Sequence, residues 1–190
     1  GHLLVLPDAG LLSLGNLLGD FVKGRLDTMP RGDFRAGVQL HRELDRYTDA
    51  HPAVKRSRAR IDEKRRRISG VLVDVFYDHF LAGGNDWDRL FAGLAPHVAD
   101  LPPGLQDLPA RMVSSRWLGA YARIDGIGAV LVRMDQRRAR PLGLGGSEQE
   151  LLLHYDAFQR DQAEFFPDVQ GFDAGNSLAF WNSIANGARH

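Results

Sequence analysis

The chain has 190 residues, with 24 Lys and Arg against 24 Asp and Glu, 44% hydrophobic residues and no cysteine. This length suits one domain with a single sizeable core, and the zero net charge argues against a protein that coats nucleic acid. The missing cysteines exclude disulfides, a thiolate nucleophile and sulfur-based zinc sites. The apolar run Leu3–Leu6 is far too short to cross a membrane, so we expect a soluble, cytoplasmic protein.

The predicted elements are all helices. Apolar residues recur at spacings of three and four, and breaks rich in Pro and Gly separate segments of helical length. We predict helices over 11–24, 33–50, 53–67, 69–82, 86–99, 105–122, 124–138 and 147–166, and a short one near 175–188. The predicted fold class is therefore all-α, a single-domain helical bundle.

In the first predicted helix, Asp20 lies away from the leucine stripe. At about 100° per residue it shares a face with Ser13 and Asn16, which by angle alone predicts a solvated side chain.

The helix over 33–50 places titratable residues on an apolar stripe. Phe34 and Val38 begin this stripe, and its next members are His41 and Asp45. A buried carboxylate or imidazolium is costly unless it is paired or binds a metal, so this pattern is unusual for ordinary packing.

The helix over 69–82 repeats the pattern. Asp78 and His79 fall within roughly 60° of Val75 on its apolar side, and Asp74 lies at the edge of the same stripe. One interpretation is a buried hydrogen-bonded network with helix-surface pairs. The other is a metal site for Mn²⁺, Fe, Zn²⁺ or Mg²⁺, which His and carboxylate ligands suit.

Residues 55–67, which we call the basic segment, carry eight basic residues against two acidic ones, a net +6. Most charge runs are simply solvated helix faces. The alternative is a docking surface for an acidic protein or a phosphorylated ligand, because guanidinium groups bind carboxylates and phosphates well. The candidate docking residues are Arg58, Lys64, Arg65, Arg66 and Arg67.

Five sequence blocks in order resemble the acyl carrier protein phosphodiesterases, also called acyl carrier protein hydrolases. The blocks are GNLLGDFVKG (15–24), HRELDRYTD (41–49), DVFYDHFL (74–81), RRARP (137–141) and LHYDAFQRDQAEFFP (153–167). The resemblance covers about residues 2–167, with His2-Leu3 matching a His-Leu pair near the family's start. It implies an all-helical relative of the HD-type metal phosphohydrolases, with a domain over 1–170 and a tail over 171–190 of unknown role.

The resemblance also implies an activity, a cofactor and a partner. The family removes 4′-phosphopantetheine from holo acyl carrier protein by Mn²⁺-dependent phosphodiester hydrolysis, and we keep Mg²⁺ and Fe as alternative cofactors. No nucleic acid or membrane span is expected, and the oligomeric state is open. The implied metal ligands are Asp20, His41, Asp78 and His79. The order Asp78-His79 reverses the His-Asp pair of ordinary HD enzymes.

The remaining roles follow from the same implied chemistry. Asp45 or Asp74 would orient the attacking water or protonate the departing serine oxygen. Arg138 or its neighbour Arg137 would neutralise phosphate charge, and the basic segment would dock the acidic carrier. Two alternatives stay open: a metal-dependent phosphohydrolase of small phosphoesters or nucleotides, and a non-catalytic helical module that binds an acidic partner.

Overall fold

The computed structural model describes residues 4, 10–83, 86–114 and 117–172. The described residues are 78% helical and contain no strand, which confirms the predicted all-α class. The predicted helix near 175–188 and the pair His2-Leu3 lie outside the described residues. No helix in the described ranges combines the length and the apolar character that crossing a bilayer requires.

Ten α-helices follow one another in the described ranges. They are α1 (Leu11–Leu18), α2 (Asp33–Ala50), α3 (Pro52–Arg60), α4 (Ser69–Ala82), α5 (Trp87–Leu94), α6 (Asp107–Ser114), α7 (Trp117–Tyr121), α8 (Ile124–Gln136), α9 (Glu148–Leu153) and α10 (Tyr155–Phe172). Short 3₁₀ segments cover Gly19–Phe21, Leu26–Thr28, Glu63–Ile68 and Ala95–Asp100.

Two predicted helices, 33–50 and 69–82, have the bounds of α2 and α4. The first predicted helix is too long, because α1 ends at Leu18 and a 3₁₀ turn follows. The predicted helix 53–67 is also interrupted. Ile61 is extended (ψ 134°), and the Asp62 side chain accepts from the Lys64 amide to start a new 3₁₀ segment.

The later predicted helices are also shorter or divided. The stretch predicted over 86–99 is α5 followed by a 3₁₀ segment that contains Pro96. A break at His154 separates α9 from α10 within 147–166. The helix α10 continues to Phe172, past the predicted domain boundary at 170, and the tail beyond it is outside the described residues.

The chain divides into two compact units. Unit 1 comprises Gly1–Thr48, Asp86–Val113 and Pro167–His190, and unit 2 comprises Asp49–Asn85 and Ser114–Phe166, each considered over its described residues.

Unit 1 is built on a close crossing of α1 and α2. A Cβ atom at Gly15 would lie 2.2 Å from the Phe34 carbonyl oxygen, and one at Gly37 would lie 2.1 Å from that of Leu12. Only glycine fits at both positions, because the two helix backbones are in direct contact. Leu14 and Val38 are fully buried beside this crossing, and α5 packs against α1. The crossing brings residues 16–20 next to the middle of α2.

Unit 2 is organised around α4. This helix packs against α3, α7, α8 and the 3₁₀ segment Glu63–Ile68. Its Phe76 ring is fully buried and meets the ring of Phe158 edge-on, with centroids 5.3 Å apart. Burial on several sides explains why α4 is apolar around most of its circumference.

Candidate functional site

His41 occupies a pocket that the α1–α2 crossing creates in unit 1. Its side chain is only 4% exposed. A Cβ atom at Gly19 would lie 2.2 Å from His41 Cγ, so the glycine leaves the space that the imidazole fills. The His41 Nδ1 atom lies 2.8 Å from the Asn16 carbonyl oxygen. Because a carbonyl only accepts, Nδ1 carries the hydrogen and donates it.

Two carboxylates flank the other ring nitrogen. Asp20 Oδ1 and Asp45 Oδ2 each lie 3.4 Å from His41 Nε2. The Asp20 side chain is 83% exposed and that of Asp45 is 52% exposed. The group of three side chains therefore extends from the buried imidazole to the protein surface. One ligand atom from each residue lies within 4.8 Å of the others. We call these three residues the Asp20–His41–Asp45 cluster.

The electrostatics of the cluster favour a positive charge at Nε2. Burial by itself lowers the pKa of His41, but the Asp20 hydrogen bond and the charges of Asp45 and Asp20 outweigh it, so the net pKa is raised. A neutral ring would direct the Nε2 lone pair at two carboxylate oxygens. A proton or a metal cation at this nitrogen removes that repulsion.

The donor set fits a divalent cation. One imidazole nitrogen and two carboxylate oxygens suit Mn²⁺, Fe²⁺ and Zn²⁺, and oxygen-rich sets favour the harder ions. The hydrogen bond from Nδ1 to the Asn16 carbonyl is the outer-shell contact that metal-binding histidines usually make. Of the predicted site residues, the structure therefore brings together Asp20, His41 and Asp45.

The position of Asp20 differs from the helical-wheel expectation. That expectation assumed a helix as far as residue 24, but Asp20 lies in the 3₁₀ turn Gly19–Phe21. The side chain is exposed, as the wheel predicts, yet the turn places it beside His41. Exposure and a place in the cluster are compatible because the cluster is at the protein surface.

The second group of predicted residues, on α4, belongs to unit 2. His79 is buried as predicted, Asp78 is half-buried and Asp74 is exposed. His79 Nδ1 donates to the Tyr121 carbonyl (2.7 Å), and Nε2 lies 3.0 Å from the Tyr155 hydroxyl. Both ring nitrogens therefore have protein partners, and a cation at Nε2 would have to displace the hydroxyl of Tyr155.

Arg138, the predicted phosphate-binding residue, is exposed just beyond the C-terminus of α8. Its backbone amide donates to the Asp135 carbonyl. The Asp135 carboxylate in turn accepts from the backbone amides of Leu142 (2.5 Å), Gly143 (2.9 Å) and Leu144 (3.2 Å). These bonds hold the 142–144 loop against the end of α8.

Much of the basic segment is paired within unit 2. Arg58 binds Asp49 (2.9 Å), and Arg65 binds the buried Glu150 (3.1 Å). Lys64, Arg66 and Arg67 are the other predicted docking residues. All three are exposed, and the described part of the chain supplies none of them with an ion pair.

A buried carboxylate neutralises two further arginines of α3. Asp161 is 4% exposed and accepts hydrogen bonds from Arg56, Arg60 and the Ser57 hydroxyl. Together with Glu150, it makes this part of the basic segment an internal ion-pair network. The run of charges in the sequence therefore overstates the free positive surface.

Sequence reasoning missed the residues that support the cluster. Asn16 contributes its backbone carbonyl, and Gly19 contributes the space that the imidazole fills. The spacing of Gly15 and Gly19, with one glycine inside α1 and the other four residues later just after its end, is the signal that could have indicated a close approach.

The chain matches the family model described as acyl carrier protein phosphodiesterase over residues 1–169. Relatives named acyl carrier protein phosphodiesterase include that of Yersinia pestis, 36% identical over 185 residues, covering 88% of this chain and 92% of that protein. That of Serratia proteamaculans is 35% identical, with the same two coverages. That of Pectobacterium atrosepticum is 34% identical over 179 residues, covering 87% and 91%. No solved structure gives a significant match. From the family match and these relatives, the chain belongs to the acyl carrier protein phosphodiesterase family.

Proposed function

We propose that this protein is a phosphoric diester hydrolase that removes 4′-phosphopantetheine from holo acyl carrier protein and leaves the apo carrier. Family membership over nearly the whole chain carries this proposal. The Asp20–His41–Asp45 cluster supports it, because the cluster is a surface-accessible donor set suited to metal-assisted hydrolysis. A cytoplasmic location, where the carrier substrate would be met, stays a prediction.

The proposed cofactor is Mn²⁺, with Mg²⁺ or Fe as alternatives. Asp20, His41 and Asp45 would hold it, and the cation would polarise a phosphate oxygen and activate water near neutral pH. Asp78 and His79, which the family resemblance implies as ligands, stay predictions. The placement of Asp45 beside His41 Nε2 favours a ligand role for Asp45 over the acid–base role first predicted.

The protein's own groups would carry out the rest of the reaction. The Asn16 carbonyl keeps the hydrogen of His41 on Nδ1, so that Nε2, which faces Asp20 and Asp45, can act as a ligand. The departing serine oxygen needs a proton, and Asp74 is the remaining predicted donor, with an exposed carboxyl on α4. Arg138 stays the predicted group that offsets phosphate charge.

The proposed docking surface consists of Lys64, Arg66 and Arg67, the predicted docking residues whose side chains have no ion pair in the described part of the chain. Arg58 and Arg65 would act indirectly, because their guanidinium groups bind Asp49 and Glu150. An acidic carrier would be attracted to the exposed cations, and salt would screen this attraction.

The decisive experiment is mass spectrometry of holo carrier protein after incubation with this protein and Mn²⁺. We expect conversion to the mass of the apo carrier. Asp20→Ala and His41→Ala should each slow conversion by roughly 100-fold or more, since a lost ligand costs at least as much as a lost outer-shell contact. The matched control is Asp88→Ala, which removes an exposed carboxylate of unit 1 outside the cluster.

Three outcomes would contradict the proposal. Full activity in both cluster variants would reject the cluster as the metal site. An unchanged carrier, together with hydrolysis of a small phosphoester such as p-nitrophenyl phosphate, would favour the small-phosphoester alternative. Binding of the carrier without any hydrolysis would favour the non-catalytic module. Asp78→Ala and His79→Ala in the same assay test the two remaining predicted ligands.

A further inference from the structure

Asp20 lies on a short and exposed segment of unit 1. Its side chain is 83% exposed, so packing does not fix it, and it lies in a 3₁₀ turn of only three residues. Residues 22–25 that follow have no regular secondary structure. A carboxylate on such a segment loses affinity for a cation if the backbone beneath it moves, because ligand atoms must be held in place.

The backbone on the N-terminal side of Asp20 is held by His41. Its Nδ1 hydrogen bond to the Asn16 carbonyl ties the imidazole to the last turns of α1. His41 therefore touches the chain four residues before Asp20 and the Asp20 carboxylate itself.

The backbone on the C-terminal side is held by the next residue of α2. Arg42 Nη2 donates to the Val22 carbonyl (3.3 Å) and to the Gly24 carbonyl (3.0 Å). A single guanidinium nitrogen thus joins two carbonyls of the irregular segment after Asp20. The fixed geometry of a guanidinium suits it to this task better than the flexible ammonium of lysine.

Three residues of α2 therefore hold the cluster together. His41 and Asp45 supply two donors directly, and Arg42 secures the segment that carries the third. We propose that Arg42 is a positioning residue that holds Asp20 beside His41 and so sets the affinity of the cluster for a divalent cation. This inference rests on the proposed function, because it requires the cluster to bind a metal.

The test is calorimetric titration of the full chain, freed of metal, with MnCl₂. Arg42→Ala should weaken Mn²⁺ binding by roughly 10- to 100-fold, the usual effect of removing an outer-shell contact. The control is Arg46→Ala, one turn along α2, whose exposed side chain bonds only to the Arg42 carbonyl of its own helix among the described contacts. We expect its affinity to stay within about twofold of wild type.

A double-mutant cycle separates positioning from a general structural effect. If Arg42 acts through Asp20, then removing Arg42 from the Asp20→Ala variant should weaken Mn²⁺ binding no further. Equal weakening in both backgrounds would overturn the inference, as would wild-type affinity in Arg42→Ala.

Arg42→Lys serves if the alanine variant does not fold. It keeps the charge but not the planar donor geometry, and it should bind Mn²⁺ several-fold more weakly than wild type. Wild-type affinity in this variant would overturn the inference. Failure of the wild-type protein to bind Mn²⁺ would overturn the metal site and this inference together, whereas an effect missing only in the Arg42 variants would overturn the inference alone.

Discussion

His41 has a different environment at each of its ring nitrogens. Nδ1 is buried and bonded to the Asn16 carbonyl, and Nε2 faces the carboxylates of Asp20 and Asp45. A histidine that donates from one ring nitrogen and faces carboxylates with the other can bind a cation without a change of tautomer. His79 differs at Nε2, where its partner is the Tyr155 hydroxyl and not a carboxylate.

The substitution Gly19→Ala should disturb the geometry of the cluster without removing any of its ligands. A Cβ atom there would lie 2.2 Å from His41 Cγ, so the imidazole must move. We expect unfolding free energy to fall by about 1–3 kcal/mol, as in other overpacked sites, and Mn²⁺ affinity to fall roughly tenfold or more. Chemical denaturation and calorimetry measure these two quantities.

The control for this variant is Gly93→Ala on α5. A Cβ atom at Gly93 would have no neighbour within 4 Å, and the residue is exposed. This change should leave Mn²⁺ affinity unaltered and stabilise the helix by up to about 1 kcal/mol. If Gly19→Ala also leaves the Mn²⁺ affinity unaltered, the His41 ring can move without loss of binding and the prediction is wrong.

The helices that were predicted best are those whose bounds follow from the pattern of apolar residues within the helix itself. The apolar periodicity of α2 and α4 runs to their ends, and their observed bounds equal the predicted ones. The end of α1 was predicted six residues too late, because apolar residues continue through Phe21 and Val22 while the backbone leaves the helix at Gly19. The capping of Lys64 by Asp62 likewise divides a segment whose composition is helical throughout.

The loop after α8 leads to a prediction about pH. Backbone amide bonds, the largest from Leu142, hold the pKa of Asp135 below its ordinary value. A depressed pKa adds stability above the unfolded-state pKa near 4, and this stability is lost as pH falls through the folded value. Asp135→Asn should therefore be less stable than wild type at pH 7. The difference in stability between the two proteins, which we call the gap, should narrow between about pH 5 and 3.

Thermal unfolding of the metal-free protein across this range measures the gap. Asp100→Asn is the control, since Asp100 is exposed and accepts no amide hydrogen bond among the described contacts. A gap for Asp135→Asn that stays constant from pH 7 to 3 would count against the carboxylate's role in holding the loop.

For the whole molecule, the zero net charge conceals an uneven distribution. The basic segment holds a net +6, but Asp49, Glu150 and Asp161 neutralise several of its arginines inside unit 2. The exposed positive charge that is left covers a smaller surface than the sequence suggests. A small set of exposed cations without an ion pair among the described residues is well suited to steer an acidic partner.

Reversing two of these charges should weaken capture of the carrier and leave the chemistry intact. Exposed ion pairs are each worth about 0.2–1 kcal/mol, so Arg66→Glu with Arg67→Glu should raise KM roughly 3- to 30-fold at low salt. The kcat should change little, because the docking contacts stabilise the bound carrier and the transition state equally. Steady-state kinetics at two salt concentrations measure both quantities, and the variant should depend less on salt than wild type.

Arg133→Glu with Arg160→Glu is the matched control, since both residues are exposed in unit 2 and the change in net charge is identical. Its KM should stay close to wild type. An equal rise in KM for both pairs would mean that net charge, and not the proposed docking surface, governs capture.

The sequence alone determined the all-α class, the bounds of α2 and α4, the burial of His41 and the family. These depend on periodicity within a helix or on matched blocks, which can be read along the chain. The sequence placed Asp45 on the same apolar stripe as His41, but the Asp45 side chain is 52% exposed. The family resemblance implied that Asp20 and His41 share a site, but only the tertiary structure decided how Asp20 reaches His41, that Arg65 pairs with Glu150 and that Arg56 pairs with Asp161. The physical reason is that each of these contacts joins residues far apart in sequence, and helix packing alone sets which of them meet.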